Sequence, residues 1–177
     1  LLKAPAKDEV QVRVTARPLN PSDEMFIEGV YRKKPVYPQV AGLEGAGIVT
    51  AVGESTFNSL IGQQVVFRTI GTWAEKININ KDDFVIVPST IAPEVACQLS
   101  LNAMTAYALM DEAAVKPNDW IILTAAAGTV GRMLIQLAVI REINVLAIVR
   151  KQEDFESLSA LGAKEVITSD GDLETKI

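Results

Sequence analysis

The sequence contains no histidine, and its one cysteine is Cys97. Without histidine the chain lacks the commonest general base near neutral pH and the commonest metal-ligating side chain. A protein zinc site draws three or four ligands from Cys, His and carboxylates, usually with at least one Cys or His, and Cys97 stands alone. No metal centre is expected. A single thiol forms no internal disulfide either, so the fold does not depend on an oxidising compartment. Positive charge is also scarce: 17 Lys and Arg against 22 Asp and Glu, a formal net charge of -5. Nucleic acid and anionic membrane surfaces both call for a basic stripe, and neither is expected as a partner. Long uninterrupted apolar runs are missing too. The nearest to one, 120–140, carries Arg132 near its centre and is broken at Gly128 and Gly131. That arginine would cost about 2.5–3.5 kcal/mol in a bilayer, so the stretch reads as a buried strand followed by a buried helix. The first residues, Leu1-Leu2-Lys3-Ala4-Pro5, carry neither a Met nor a signal-like apolar core and read as a trimmed end.

What is present fits a globular α/β protein. Its 177 residues, 49% hydrophobic and 22% charged, can form one domain or parts of two. Val10 to Thr15 alternates apolar and polar residues, as a half-buried strand does. Pro18 and Pro21 stop it, and Asn20 or Ser22 is placed to cap a short helix with Asp23 and Glu24 in its positive first turn. Gly29 ends that helix before a basic loop, Tyr31-Arg32-Lys33-Lys34-Pro35. The glycine-rich run from Ala41 to Gly47 feeds a strand over Ile48–Val52. Further short strands are expected at Val65–Phe67, Trp73–Ile79 and Phe84–Val87, a spacing typical of a small barrel or sandwich. After Pro88 the pattern changes. Pro93 to Ala114 has helical periodicity, and Lys116-Pro117-Asn118-Asp119 is a turn. Then strand and helix alternate: Trp120–Leu123, Thr129–Arg141, Val145–Val149, Phe155–Leu161 closed by Gly162, and Glu165–Thr168. The continuously apolar first strand predicts burial on both faces of a parallel sheet. The order βαβαβ is one half of a doubly wound sheet. We therefore place a β-rich domain at 1–90, and connecting helices with a partial dinucleotide-binding domain at 91–177. A doubly wound domain needs a second half beside its first strand, so the natural protein is expected to be longer, and that strand's open edge invites aggregation or swapping.

Ala125-Ala126-Ala127-Gly128-Thr129-Val130-Gly131 joins the first strand of that unit to its first helix. Small residues there let a pyrophosphate approach the backbone, and free amides at the helix start can bind it. Ala126, Gly128, Thr129, Val130 and Gly131 are the candidate contacts, in an AxxGxxG variant of the GxGxxG turn. The alternative is a plain strand-to-helix turn. Cofactor choice is read at the end of the second strand, where an acidic residue would hold the ribose of NAD. Arg150 and Lys151 stand there instead and suit the 2′-phosphate of NADPH; the alternative is a solvated basic turn paired with Glu153 and Asp154.

These features resemble the medium-chain dehydrogenase/reductase superfamily, in its zinc-free quinone oxidoreductase (zeta-crystallin-like) and enoyl-thioester reductase branches. The resemblance covers nearly the whole chain. It rests on Asn20-Pro21-Ser22-Asp23, Gly42-Leu43-Glu44-Gly45-Ala46-Gly47, Thr105-Ala106-Tyr107, the AxxGxxG turn with Gln136-Leu137-Ala138, and Leu161-Gly162-Ala163. Zinc-dependent relatives carry His where Leu43 stands. Gly71-Thr72-Trp73, Asn102 and Val149-Arg150 are similar to the enoyl-thioester reductases, whereas a tyrosine in place of Tyr31 is common to both branches. The resemblance implies a GroES-like catalytic domain followed by a Rossmann domain, the two forming a cleft for hydride transfer.

Hydride transfer asks little of the protein beyond orientation and a donor for the developing negative oxygen. In the resemblance Tyr31 is that donor; otherwise it is a packed surface aromatic. Asn20 orients the tyrosine, the substrate or the nicotinamide, or else simply caps the helix before Pro21. Thr105 contacts the nicotinamide region, or bonds a helix carbonyl. Arg32, Lys33 and Lys34 attract an anionic thioester carrier, or form a solvated loop. The reading is an NADPH-dependent, zinc-independent oxidoreductase acting on a quinone, enone or enoyl thioester, with a non-catalytic nucleotide-binding relative as its rival. A homodimer is implied by the resemblance. A cytoplasmic location is expected, with organelle targeting upstream of Leu1 left open.

Overall fold

The structure, a computed structural model, describes residues 2–170; Leu1 and residues 171–177, the tail of the expected second domain, lie outside that range. Contacts divide the chain into two units, Leu1–Leu101 and Asn102–Ile177.

The first unit is built on a five-stranded antiparallel sheet. Its strands are β1 (Glu9–Ala16), β2 (Glu44–Val52), β3 (Gln64–Arg68), β4 (Lys76–Asn80) and β5 (Phe84–Ile86), in the order β4-β1-β2-β3-β5. Alternation in β1 sends Val10, Val12 and Val14 to one face, where they pack with Val49, Val65, Phe67 and Ile79. Burying each such side chain contributes about 1.5–3 kcal/mol. On the other face Ala46 and Val66, paired across β2 and β3, pack with Ala96 and Cys97. The short helix α1 (Pro21–Ile27) starts at Asn20, whose backbone N–H donates to the Asp23 carboxylate at 2.8 Å. Pro21 at its first position fits a helix start, since proline's missing N–H would be unpaired there anyway. Phe26 anchors it.

Two expected elements form differently. The helix predicted over Pro93–Ala114 is two helices, α2 (Pro93–Ala96) and α3 (Asn102–Glu112). The chain between them leaves the helical ladder because the Leu101 amide donates to Glu44 Oε2 at 2.9 Å, and the Ser100 hydroxyl donates to Phe67 O, also at 2.9 Å. The strand predicted from Trp73 begins only at Lys76. Gly71, Thr72 and Trp73 instead bond back to the 41–42 loop, the Trp73 amide donating to Ala41 O at 3.0 Å.

The second unit carries the expected βαβαβ order. A parallel sheet of β6 (Trp120–Leu123), β7 (Asn144–Val149) and β8 (Glu165–Thr168) alternates with α4 (Thr129–Ile140) and α5 (Phe155–Leu161). β7 is the central strand, and Val145 through Val149 are all buried. Val145, Ala147 and Val149 pack with Ile135, Ala138 and Leu158 in one core. β6 departs from its expected burial: Trp120 is 55% and Ile122 57% exposed. Ile121 and Leu123 face the core, and the alternation of a strand turns Trp120 and Ile122 to a face that the described residues of this unit leave largely open. α3 packs on α4, and Arg141 fastens the pair, with its guanidinium 5.1 Å over the Tyr107 ring and 3.1 Å from Asp111 Oδ1. Among the described residues no helix is long and apolar enough to cross a membrane.

Candidate functional site

In the first unit the chemistry gathers where β2 begins. Gly42 has φ +93, and a Cβ there would lie 2.3 Å from Thr72 Oγ1 and 2.8 Å from the Trp73 backbone nitrogen. Only glycine lets the 71–73 turn close on this loop. The next two side chains diverge. Leu43 lines a cavity of about 300 Å³ together with Tyr31, Arg32, Lys33, Arg68 and Leu101. Glu44 turns inward and is 1% exposed.

Glu44 is a hub. Its Oε1 accepts from Asn20 Nδ2 at 2.9 Å, and its Oε2 accepts from the Leu101 amide at 2.9 Å and shares, at 3.2 Å, the Ser100 hydroxyl proton that Phe67 O accepts at 2.9 Å. Burial pushes its carboxyl up from the ordinary glutamate range, against those three donors, and the nearby charge of Asp23 adds to the rise. Asp23 is likewise raised by burial, opposed by the amides of Asn20 and Leu43. Its Oδ1 is buried without a hydrogen-bond partner. Two neighbouring carboxyls in a place that disfavours charge form a polar knot joining the α1 start, β2 and the chain before α3. Cys97 lies close by. Burial, with the charge of Glu44 second, pushes its thiol up to about 11, so it stays protonated at neutral pH and is a poor nucleophile. Among the described residues no group of three or more His, Cys, Asp or Glu is arranged to hold a metal ion.

In the second unit a cavity of about 550 Å³ opens at the carboxyl ends of β6 and β7. It is lined by Thr124, Ala125, Ala127, Gly128, Arg150 and Lys151, with Glu153, Asp154 and Ser169 at its side. This is where ligands bind in open α/β sheets. Gly128 is the N-cap of α4, whose first amides have no partner within the helix. Gly131 serves packing: a Cβ there would meet Ala126 O at 2.6 Å and Ala125 O at 2.8 Å. Arg132 staples the turn from behind. Its Nε donates to Ala127 O at 3.0 Å, and its Nη2 lies 3.1 Å from Ser157 Oγ and 3.5 Å from Asp154 Oδ1.

The structure thus sorts the residues singled out from sequence. Gly128, Arg150 and Lys151 line the second-unit cavity, and exposed Thr129 opens α4. Ala126 is buried in the core and Val130 packs against it, so both support the turn without lining the cavity. Thr105 is exposed on α3 and lines none of these cavities. Lys151 is ion-paired with Glu153 at 3.0 Å, as the basic-turn alternative anticipates, whereas Asp154 pairs with Arg132. In the first unit Tyr31 lines the 300 Å³ cavity; Asn20 lines another, of about 620 Å³, beside Leu19, Pro21 and Trp73. Sequence reasoning missed Arg68, the hub role of Glu44 with Ser100, and the Arg132 staple. Arg132 left one signal, a cation in the first turn of the helix behind a glycine turn.

Residues 6–123 match the alcohol dehydrogenase GroES-like domain family. The chain is 38% identical over 173 residues to the mitochondrial enoyl-[acyl-carrier-protein] reductase of Xenopus tropicalis, covering 94% of this chain and 49% of that protein. Among solved structures, the quinone oxidoreductase of Pseudomonas syringae pv. tomato is 31% identical with a TM-score of 0.88, over 100% of this chain and 55% of that one. The Escherichia coli quinone oxidoreductase, solved in complex with NADPH, is 30% identical with a TM-score of 0.89, over 99% and 55%. The chain spans about half the length of these relatives. With a GroES-like antiparallel sheet followed by a parallel βαβαβ unit, it belongs to the medium-chain dehydrogenase/reductase superfamily, among relatives that are quinone oxidoreductases and enoyl reductases.

Proposed function

We propose that the protein is an NADPH-dependent, zinc-independent oxidoreductase that reduces a conjugated carbonyl, either a quinone or an enoyl thioester, by hydride transfer. The observation that carries this reading is the cavity between the Thr124–Gly128 turn and Arg150. Its residues fit the cofactor. Small side chains leave the backbone open to a pyrophosphate, and the α4 start offers unpaired amides and a positive dipole end. Glu153 occupies Lys151. Arg150 takes part in no ion pair among the described residues, and its planar fork suits the 2′-phosphate. No acidic side chain stands at the tip of β7 to take the ribose of NAD in its place.

Bound NADPH supplies the hydride; the chain's own residues bind, orient and protonate. Tyr31 donates its hydroxyl to the carbonyl oxygen of the acceptor, where negative charge develops as the hydride arrives. The same hydroxyl can release its proton there. Leu43 and Leu101 give the cavity an apolar floor, which strengthens that hydrogen bond by excluding water. Asn20 is held by Glu44 and shapes the neighbouring cavity. A homodimer in the cytoplasm belongs to the same proposal, the single buried thiol requiring no oxidising compartment; the mitochondrial names of the enoyl reductase relatives make cell fractionation the check on location.

The test is NADPH consumption by the full-length protein, offered a simple quinone and a trans-2-enoyl thioester in parallel. Turnover of at least one is expected, with Tyr31→Phe lowering kcat roughly 100-fold. NADPH binding without oxidation by either acceptor would overturn the reading in favour of a non-catalytic nucleotide-binding protein.

A further inference from the structure

We infer that Arg132, a residue outside the cofactor cavity, sets that cavity's preference for a 2′-phosphorylated dinucleotide by neutralising Asp154 in its wall. The inference rests on the proposed binding of NADPH beside Arg150. Its ground is the balance of charge around the cavity. The charged side chains that line it are Arg150 and Lys151, opposed by Glu153 and Asp154. Two cations against two carboxylates leave a wall with no net charge. Such a wall offers little net attraction to a 2′-phosphate, which brings roughly two negative charges at neutral pH. Arg132 does not line the cavity, yet its Nη2 lies 3.5 Å from Asp154 Oδ1. With Arg132 included, the balance becomes positive.

The two carboxylates are held in different ways. Glu153 meets Lys151 at 3.0 Å, but their side chains are 69% and 70% exposed, so water and salt screen that pair heavily. Asp154 and Arg132 are 26% and 35% exposed, and their charges are screened less. Arg132 is also fixed in place. Its Nε donates to Ala127 O at 3.0 Å and its Nη2 to Ser157 Oγ at 3.1 Å. Ser157 Oγ in turn donates to Asp154 O at 3.0 Å. The planar fork is thus committed at two of its nitrogens, and Asp154 is held through both its carboxylate and its carbonyl. Asp154 is the N-cap of α5, but its side chain makes no capping hydrogen bond there; the carboxylate goes to Arg132 instead.

Without Arg132, an uncompensated carboxylate would stand in the cavity wall. That charge repels a 2′-phosphate, whereas a carboxylate readily accepts from the free ribose hydroxyl of NAD. Arg132 is therefore a positioning residue, acting on the cofactor through Asp154.

NADP⁺ and NAD⁺ are titrated calorimetrically into full-length protein, and the readout is the ratio of their affinities. A merely structural staple would leave this ratio alone, since loosening the Thr124–Gly128 turn weakens both dinucleotides together. Arg132→Gln is expected to lower the NADP⁺ preference about tenfold, less at high salt. Asp154→Asn should raise the preference, and the double variant should return it to near the parent value. Asp154→Asn leaves the Arg132 bonds to Ala127 and Ser157 available, so it tests the inference even if Arg132→Gln fails to fold. An unchanged ratio in either single variant, or a fall in Arg132→Gln that Asp154→Asn does not reverse, would overturn the inference while the NADPH reading stands. A parent protein that binds NAD⁺ as tightly as NADP⁺ would overturn the NADPH reading itself, and the inference with it.

Discussion

Glu44 shows how one side chain can be expensive and still organise its surroundings. Its three hydrogen bonds offset part of the cost of burying a carboxyl, but the carboxyl stays above the ordinary glutamate range. The sign of the linkage follows. Between the unfolded value of 4.5 and the higher folded one, the native state binds more protons than the unfolded state. Stability from this group is full below the unfolded value and is lost as pH rises through the folded one. Asp23 acts in the same direction. Glu44→Gln cannot accept from both Asn20 and Leu101, so it should destabilise by about 1–3 kcal/mol. It also removes the titration, so its deficit relative to the parent should narrow between about pH 5 and about pH 8. Urea midpoints at the two pH values check this, and a deficit that widens would refute it. The sequence displays Glu44 plainly inside a glycine-rich run, yet nothing local marks it as a hub. Its partners at 20, 100 and 101 are distant in sequence and carry no pattern that ties them to it.

At the scale of elements, periodicity carried most of the reading. β1, β7, α4 and α5 lie where alternation and helical spacing put them, because each buries a contiguous apolar set. The two misplaced boundaries share a cause. The helix over 93–114 breaks, and the strand from Trp73 is delayed, because backbone amides there are claimed by distant groups, Glu44 in one case and the 41–42 loop in the other. Propensity has no access to such tertiary claims. The cofactor turn was legible as a motif, but its division of labour was not: Gly128 borders the cavity, whereas Gly131 lets α4 sit against Ala125 and Ala126. Gly131→Ala therefore should push α4 off the turn. The expected result is a fall in thermal midpoint of several degrees together with at least tenfold weaker NADPH binding, read by fluorescence titration. Unchanged affinity would mean that the turn does not hold the pyrophosphate.

For the molecule as a whole, the two units differ in how completely their sheets are covered. The first unit has apolar cores on both faces of its sheet. The second presents Trp120 and Ile122 on β6, an edge strand in this chain, alongside exposed Val139 and Ile140 on α4. An apolar edge of this kind templates pairing with a second copy. The 177-residue chain on its own is expected to self-associate as concentration rises, and Trp120→Lys with Ile122→Thr to suppress this. Sedimentation velocity over a dilution series tests it, and a monomer at all concentrations would disprove it. The knot at Glu44 also sets an order of events in time. Its carboxylate leaves the ribosome 57 residues ahead of the Leu101 amide it will bind, a delay of roughly 3–11 s at ordinary rates of synthesis. Until Leu101 emerges, Glu44 keeps its water and the entrance to β2 has no lock, so the nascent first unit must wait for its own last residue before it can shut.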